Sequence, residues 1–277
     1  ARITVLTTAP FRDFLAASPY ADAVALDTRP PFWNLPAVLR LARWLRSGGF
    51  ARVYDLQTSR RSGTYLRLFG RRRPEWSGIA PGASHPHANP ERDHMHTLDR
   101  QAEQLAMAGI PSVPPPDVGW VPAAPLPPAL AAGAPFVLLV PGGSAHRPEK
   151  RWPVDRWRDL AAGLARAGRL PVVLGGAGER PLADAIRGAA PAAVDLTGAT
   201  SLLDLVRLGR RAAAAVGNDT GPMHLLAVAG APATVLFSRA SDPALCAPRG
   251  PRVTVLRRPD LADLPVDAVA RTLPDQE

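Results

Sequence analysis

The octapeptide Gly217-Asn218-Asp219-Thr220-Gly221-Pro222-Met223-His224 has the residue types of a turn that ends a buried strand, opens a helix and can hold an anion between the two. Asn218 and Asp219 are good N-cap types, and Pro222 suits a first helical turn because its missing N–H is no loss there. Thr220 and Gly221 would then present backbone N–H groups at the positive end of the helix dipole, and Gly221 would let an anion come close. His224 falls within the first turn, from which its ring could donate to the same ligand. The plainer alternative is that Asp219 only caps a helix and His224 is a structural histidine.

Two more loops carry compatible chemistry. The apolar run Phe136–Val140 ends in Pro141-Gly142-Gly143-Ser144, whose successive amides can form an anion nest, and Lys150-Arg151 follow. Lys150 would neutralise a diphosphate as a compact point charge. The run Pro171–Leu174 ends in Gly175-Gly176-Ala177-Gly178-Glu179, where Glu179 either accepts from ribose hydroxyls or only favours the dipole of a following helix. Neither the dinucleotide fingerprint nor a P-loop is present, so NAD and ATPase readings lack support. Without a nucleophile-elbow context, Ser62 and Ser144 do not point to a serine hydrolase. His85-Pro86-His87 and His94-Met95-His96 have too few partners for a zinc site.

What must position these loops is an α/β fold, because short apolar strands alternate with amphipathic helical patterns along the whole chain. In the first half, strands are expected at Ile3–Leu6, Val24–Leu26 and Val53–Asp55, with helices near Leu35–Arg46, Ser59–Leu68 and Asp93–Met107. In the second, strands fall at Phe136–Val140, Pro171–Leu174, Ala213–Val216 and Thr234–Leu236, with helices near Val154–Ala167, Leu182–Ala189, Leu202–Arg210 and Pro222–Val228. The proline-rich stretch Ile110–Pro135 can continue neither a helix nor a central strand and is the expected linker. Domains are therefore expected at 1–130 and 131–250. The closing segment 251–277, a strand and a helix near Val266–Leu273, is free to pack on either domain. In a doubly wound sheet the loops after different strands meet at the carboxyl edge, where all three glycine-bearing loops can converge on one ligand.

Composition bounds the possibilities. At 46% hydrophobic and 21% charged, the 277 residues hold enough apolar surface for real cores. No apolar run approaches the ~20 residues of a membrane span. The single cysteine, Cys246, excludes an internal disulfide and suits a reducing compartment. The formal charge of +9 attracts polyanions. The clusters Arg71-Arg72-Arg73 and Arg257-Arg258 are short and lack interleaved aromatics, so nucleic acid is not the expected partner. The chain starts at Ala1 and runs straight into a strand without a secretory leader, so a natural segment is expected upstream.

The motifs Pro141-Gly142-Gly143-Ser144, Lys150-Arg151-Trp152-Pro153, Val173-Leu174-Gly175-Gly176, Leu196-Thr197-Gly198 and Gly217–His224, in this order and spacing, resemble the lipopolysaccharide heptosyltransferase family, glycosyltransferase family 9. Leu236-Phe237 extend the likeness, which covers roughly Phe136 to Pro248. In the first half, Asp55-Leu56-Gln57 and Arg61-Ser62 are similar to the family's Asp-x-Gln and Lys-Ser segment, with Arg61 where lysine is common. The resemblance implies a GT-B fold of two Rossmann-like domains facing a cleft, and inverting, metal-independent transfer of heptose from ADP-heptose, or a related nucleotide-sugar, to the lipopolysaccharide inner core. No cofactor is implied. By matched position, Ser144, Lys150, Thr220, Gly221 and His224 would hold the donor diphosphate, Asp219 would orient the donor sugar or the turn, and Glu179 would meet the ribose. Arg61 would face the anionic, lipid-linked acceptor with its guanidinium fork. The implied location is cytoplasmic, with peripheral contact at the inner face of the inner membrane.

One departure matters. The family starts with a strand, a Gly-Asp loop and a helix before the strand that here begins at Ile3, and that loop carries the aspartate thought to act as general base. The first βα unit is thus expected to be missing, and no catalytic residue is assigned; Asp13 and Asp27 sit in other contexts. A nucleotide-sugar-binding GT-B protein that is impaired or non-catalytic is the alternative reading.

Overall fold

Every strand pairing among the described residues is parallel, so each strand must be left by a crossover that returns the chain to the same end. The computed structural model describes residues 1–130, 133–144 and 146–275. They form two units, Ala1–Pro115 and Pro116–Glu277. Among the described residues no helix is long and apolar enough to cross a membrane.

Unit 1 runs β1 (Thr4–Thr7), α1 (Arg12–Ala16), β2 (Ala23–Leu26), α2 (Leu35–Ser47), β3 (Arg52–Tyr54), α3 (Arg60–Leu68), β4 (Glu75–Gly78), β5 (His85–Pro86) and α4 (Thr97–Met107). Its strands fall into two sheets, β1-β2 and β3-β4-β5. Leu6 of β1 and Val53 of β3 nevertheless pack against one cluster, built on Leu45, Tyr65, Leu66, Phe69 and Trp76. Asn34 caps α2 by accepting from the Ala37 amide, and Ser59 and Ser62 form a reciprocal capping box on α3.

The expected helix Asp93–Met107 needs correction. Residues Pro90–His94 form a 3-10 turn, and α4 starts only at Thr97, with the His96 ring accepting from the Leu98 amide. Periodicity did not reveal α1, β4 or β5, because Glu75-Trp76-Ser77-Gly78 and His85-Pro86 are short and lack strand-type alternation.

Unit 2 runs β6 (Phe136–Val140), α5 (Val154–Arg166), β7 (Leu170–Val173), α6 (Arg180–Ala189), β8 (Val194–Asp195), α7 (Leu202–Arg211), β9 (Ala214–Asn218), α8 (Gly221–Val228), β10 (Ala233–Phe237), α9 (Pro243–Cys246), β11 (Val253–Arg257) and α10 (Val266–Ala270). The sheet order is β11-β10-β9-β6-β7-β8. Strands β6, β9 and β10 are buried along their whole length, which is why they read as continuous apolar runs without alternation. Two clusters cover the two faces. One is centred on Trp152, Trp157 and Ile186, the other on Leu138, Leu226 and Phe237.

Unit 2 begins inside the proline-rich stretch, and its first residues are not a loose tether. Arg210 donates to the Val118 and Val121 carbonyls at 2.6 Å each, Arg207 donates to the Pro122 carbonyl at 3.1 Å, and Leu130 is buried. At the other end β11 pairs with β10, and Leu261, Leu264 and Val269 are wholly buried in the Trp152–Trp157 cluster. The closing strand and helix are therefore part of unit 2.

Candidate functional site

The strand order of unit 2 decides where a ligand can sit. The chain starts at β6, moves outward through β7 to β8, then returns to the other side of β6 to lay down β9, β10 and β11. Helices leaving β6 and β9 therefore diverge to opposite faces, opening a crevice at the carboxyl ends of those two strands. The loops there are Pro141–Ser144 after β6 and Asp219-Thr220 after β9, and a pocket of about 360 Å³ lies between them. Its polar wall carries Gly143, Ser144, Glu179 and Thr220, and its apolar wall carries Leu174, Leu202 and Leu205. A larger groove of about 730 Å³ lies elsewhere, between α5 and the α10 segment. It is lined by arginines mixed with aspartates and is remote from the crevice, so the smaller pocket is the better site.

Asn218, the last residue of β9, ties the crevice together. Fully buried, it donates through Nδ2 to the Pro141 and Gly142 carbonyls at 2.8 and 3.0 Å, while its Oδ1 accepts from the Trp152 amide at 3.0 Å. One side chain thus holds the β6 loop and the start of α5. This corrects its expected role as a helix cap. The cap of α8 is Thr220, whose side chain makes no capping bond and instead donates to the Asn218 carbonyl at 3.2 Å.

Asp219 is not a cap either. Its carboxylate accepts from Lys150 Nζ at 2.6 Å and from Ser241 Oγ at 2.7 Å. The Lys150 and Asp219 side chains are only 15% and 8% exposed, so each charge is retained in the interior by the other. Lys150 accordingly does not stand as an isolated point charge.

Glu179 bridges two loops. One carboxylate oxygen accepts from the Gly143 amide at 2.9 Å and the other from the Gly176 amide at 2.8 Å. A Cβ on Gly142 would stand 1.5 Å from that carboxylate, and one on Gly175 would stand 2.5 Å away, so both glycines are required by the bridge. Arg151 adds a third tie by donating to the Gly143 carbonyl at 2.5 Å.

At the start of α8, the Met223 amide bonds to the Thr220 carbonyl and Pro222 has no N–H. The Gly221 amide has no acceptor within its helix. A Cβ on Gly221 would meet nothing within 4 Å, so the protein's own packing does not demand glycine there. Ser144 and His224 are exposed; Ser144 lines the pocket and His224 does not.

Arg61 belongs to unit 1. Its Nε donates to Tyr65 Oη at 3.3 Å, another nitrogen donates to the Pro30 carbonyl, and the guanidinium carbon lies 5.3 Å from the Phe32 ring centroid. Tyr65 in turn donates to Asp27 at 2.8 Å. Burial and the bond to Asp27 both push the phenol above its ordinary pKa, so it stays a neutral donor. Asp55, directly after β3, is buried, and the Thr58 amide donates to it at 3.1 Å, holding Thr58 at φ +46°. Burial pushes this carboxyl up, against the bonds it accepts from Ser62, Thr58 and Gln57.

The H-x-H pairs have structural partners. His87 is buried with Nε2 2.6 Å from Glu103, and His85 Nδ1 lies 3.0 Å from Ser84 Oγ. Asn218 and Ser241 are the residues that sequence reasoning missed. Asn218 was visible but misassigned, and Ser241 lies in a loop after β10 with no motif to mark it.

Comparison with known proteins agrees with this architecture. The chain is 32% identical over 134 residues to lipooligosaccharide heptosyltransferase 2 of Haemophilus influenzae, a match that spans 47% of this chain and 38% of that protein's length. Among solved structures it superposes on E. coli ADP-heptose LPS heptosyltransferase II with a TM-score of 0.75 at 21% identity, covering 98% of this chain and 88% of that one. The E. coli heptosyltransferase WaaC with ADP gives a TM-score of 0.78 at 20% identity, with coverage of 98% and 88%. Likeness at this identity speaks to the fold, an α/β fold of the GT-B heptosyltransferases. Membership follows from the family model: residues 38–267 match that of glycosyltransferase family 9 (heptosyltransferase), and this chain belongs to that family.

Proposed function

We propose that the chain is an inverting, metal-independent glycosyltransferase that moves heptose from ADP-heptose to the lipopolysaccharide inner core, with the donor bound in the crevice between β6 and β9. One observation carries the proposal. The start of α8 and the amide-lined loop after β6 converge on a single pocket that also has an apolar wall, and the Lys150–Asp219 pair is anchored next in sequence to Thr220 of its lining. An ADP moiety has the matching chemistry, a flat base for Leu202 and Leu205 and a diphosphate for a helix N-terminus. One relative's structure is described as containing ADP, which supports the same assignment.

In this reading the Gly221 amide and Ser144 receive the diphosphate, with Thr220 and His224 at its edge. Lys150 turns from Asp219 to the phosphates as the donor enters, or spans both. Asp219, partly released, orients the heptose hydroxyls, and Glu179 accepts from the ribose while continuing to hold its two loops. Inversion requires the acceptor hydroxyl to attack the anomeric carbon from the face opposite the departing ADP. Negative charge then develops on the diphosphate, where Lys150 and the helix dipole stabilise it. Arg61 receives the anionic, lipid-linked acceptor, which puts the reaction at the cytoplasmic face of the inner membrane.

The attack also needs a base for the hydroxyl proton. The division of unit 1 into two sheets supports the reading that one more strand, with the loop that bears this base, belongs between β1 and β3. No residue of the chain is assigned that role.

The test is transfer from ADP-heptose to a defined core acceptor, with ADP affinity measured in parallel. Lys150→Ala is expected to weaken ADP binding by about tenfold, equivalent to about 1.4 kcal/mol, and Asp219→Ala to reduce turnover. Wild-type affinity and turnover in both variants would defeat the assignment.

A further inference from the structure

All thirteen exposed large hydrophobic side chains among the described residues lie in unit 1, and four of them are gathered where the chain leaves β2 and enters α2. Trp33 is 85% exposed, Phe32 54%, Leu35 63% and Leu39 52%. Scattered exposed hydrophobics are ordinary, but a contiguous group that includes a nearly bare tryptophan is not.

The group is held outward by a defined loop. The Arg29 amide donates to Asp27 at 2.8 Å with Arg29 at φ +48°. Arg61 donates to the Pro30 carbonyl and lies over the Phe32 ring, and Asn34 caps the helix. Along α2, Leu35 and Leu39 share the exposed face with Arg40 and Arg43, since positions three and four apart fall on one side of a helix. Between Asp27 and Asp55 the chain holds five arginines and no acidic residue. Arg52 pairs with Glu75, whereas among the described residues Arg40 and Arg43 have no acidic partner, so the patch combines an aromatic tip, an aliphatic helix face and two uncompensated cations, the arrangement by which an interfacial segment meets anionic headgroups and the first carbons of the acyl chains.

From this we infer that the loop 28–34 and the exposed face of α2 dock on an anionic phospholipid surface. Trp33, Leu35 and Leu39 enter the headgroup–acyl boundary while Arg40 and Arg43 contact lipid phosphates. The inference rests on the proposed lipid-linked acceptor only for its purpose, because Arg61 lies directly behind Phe32. The surface itself is independent of any reaction.

Vesicle co-sedimentation without donor or acceptor tests it, using the full chain with phosphatidylglycerol-rich and pure phosphatidylcholine vesicles. The wild type should bind the first and not the second. Arg40→Ala with Arg43→Ala should lower partitioning by about 25-fold, from about 5-fold for each basic side chain near such a surface. Lipids brominated near the carbonyl should quench the wild type but not Trp33→Phe, because Trp33 is the one exposed tryptophan of the six.

Equal binding to both vesicle types, undiminished binding of the double variant, or quenching that survives Trp33→Phe would overturn the inference. So would a wild type that self-associates through this patch and ignores vesicles, with monomeric variants. Transfer to a delipidated core oligosaccharide separates the two readings. A double variant that transfers normally to it but has left the vesicles supports docking, and a wild type that binds vesicles yet never transfers defeats only the transferase reading.

Discussion

Asn218 offers the sharpest test of how the crevice is held. Replacement by alanine removes three hydrogen bonds at once, those to the Pro141 and Gly142 carbonyls and that from the Trp152 amide. The residue is 0% exposed, so water does not freely replace the lost partners. A buried bond contributes about 1 kcal/mol net, and a buried group left unpaired costs about 1–3 kcal/mol. The three losses share one site and do not add fully, giving an expected destabilisation of unit 2 of about 3–4 kcal/mol. Asn218→Asp keeps the size and the acceptor for Trp152 but sets carboxylate oxygen against two carbonyls, and should be at least as damaging at neutral pH. Urea unfolding followed by the fluorescence of Trp152 and Trp157, which are both buried and pack edge to face at 5.0 Å between centroids, reports on this unit. ADP affinity, measured by calorimetry where the variant is still folded, should fall by about tenfold, because the β6 loop and the entry to α5 lose their common tie. A loss below about 1 kcal/mol with unchanged ADP affinity would refute the view that Asn218 positions these loops.

Three further outcomes follow from the same geometry. Gly221→Ala meets empty space, so thermal stability should hold while ADP binding weakens; equal loss of both would place the anion elsewhere. Gly142→Ala forces a Cβ into Glu179 and should cost more than about 2 kcal/mol of stability by thermal melting, with Glu179→Ala as a second change restoring part of it. Asp55 has a raised folded-state pKa because of burial; its contribution to stability is present below the unfolded carboxylate value and is lost as pH rises through the folded value. Asp55→Asn should therefore flatten the stability of unit 1 across that window. An unchanged pH profile in urea titrations would show that another group carries the dependence.

Much of the site was legible because anion binding by backbone has a local signature. A glycine-rich turn after an apolar run, followed by a helix-compatible segment, already specifies strand, loop and helix start. Pro141–Ser144, Gly175–Glu179 and Asp219–Gly221 were each recognisable in this way, and the continuous apolar runs of β6, β9 and β10 announced a sheet covered on both faces. Short elements such as β4, β5 and α9 were not legible, since two to four mixed residues carry no period. Side-chain partners were not legible either. Asn218 and Asp219 have the composition of helix caps, and nothing local shows that one is buried against three backbone groups and the other paired with Lys150, sixty-nine residues earlier.

What the sequence alone determined is the alternation of buried strands and amphipathic helices, the glycine-bearing turns and, through their order, the family. The tertiary structure decided which of those turns meet. Reversal of strand order at β6 and β9 brings residues 141–144 beside 219–221, and long-range contacts then assign each polar group its partner. Local propensity is a property of a few consecutive residues, whereas partnership in a crevice depends on crossovers that only the folded sheet specifies.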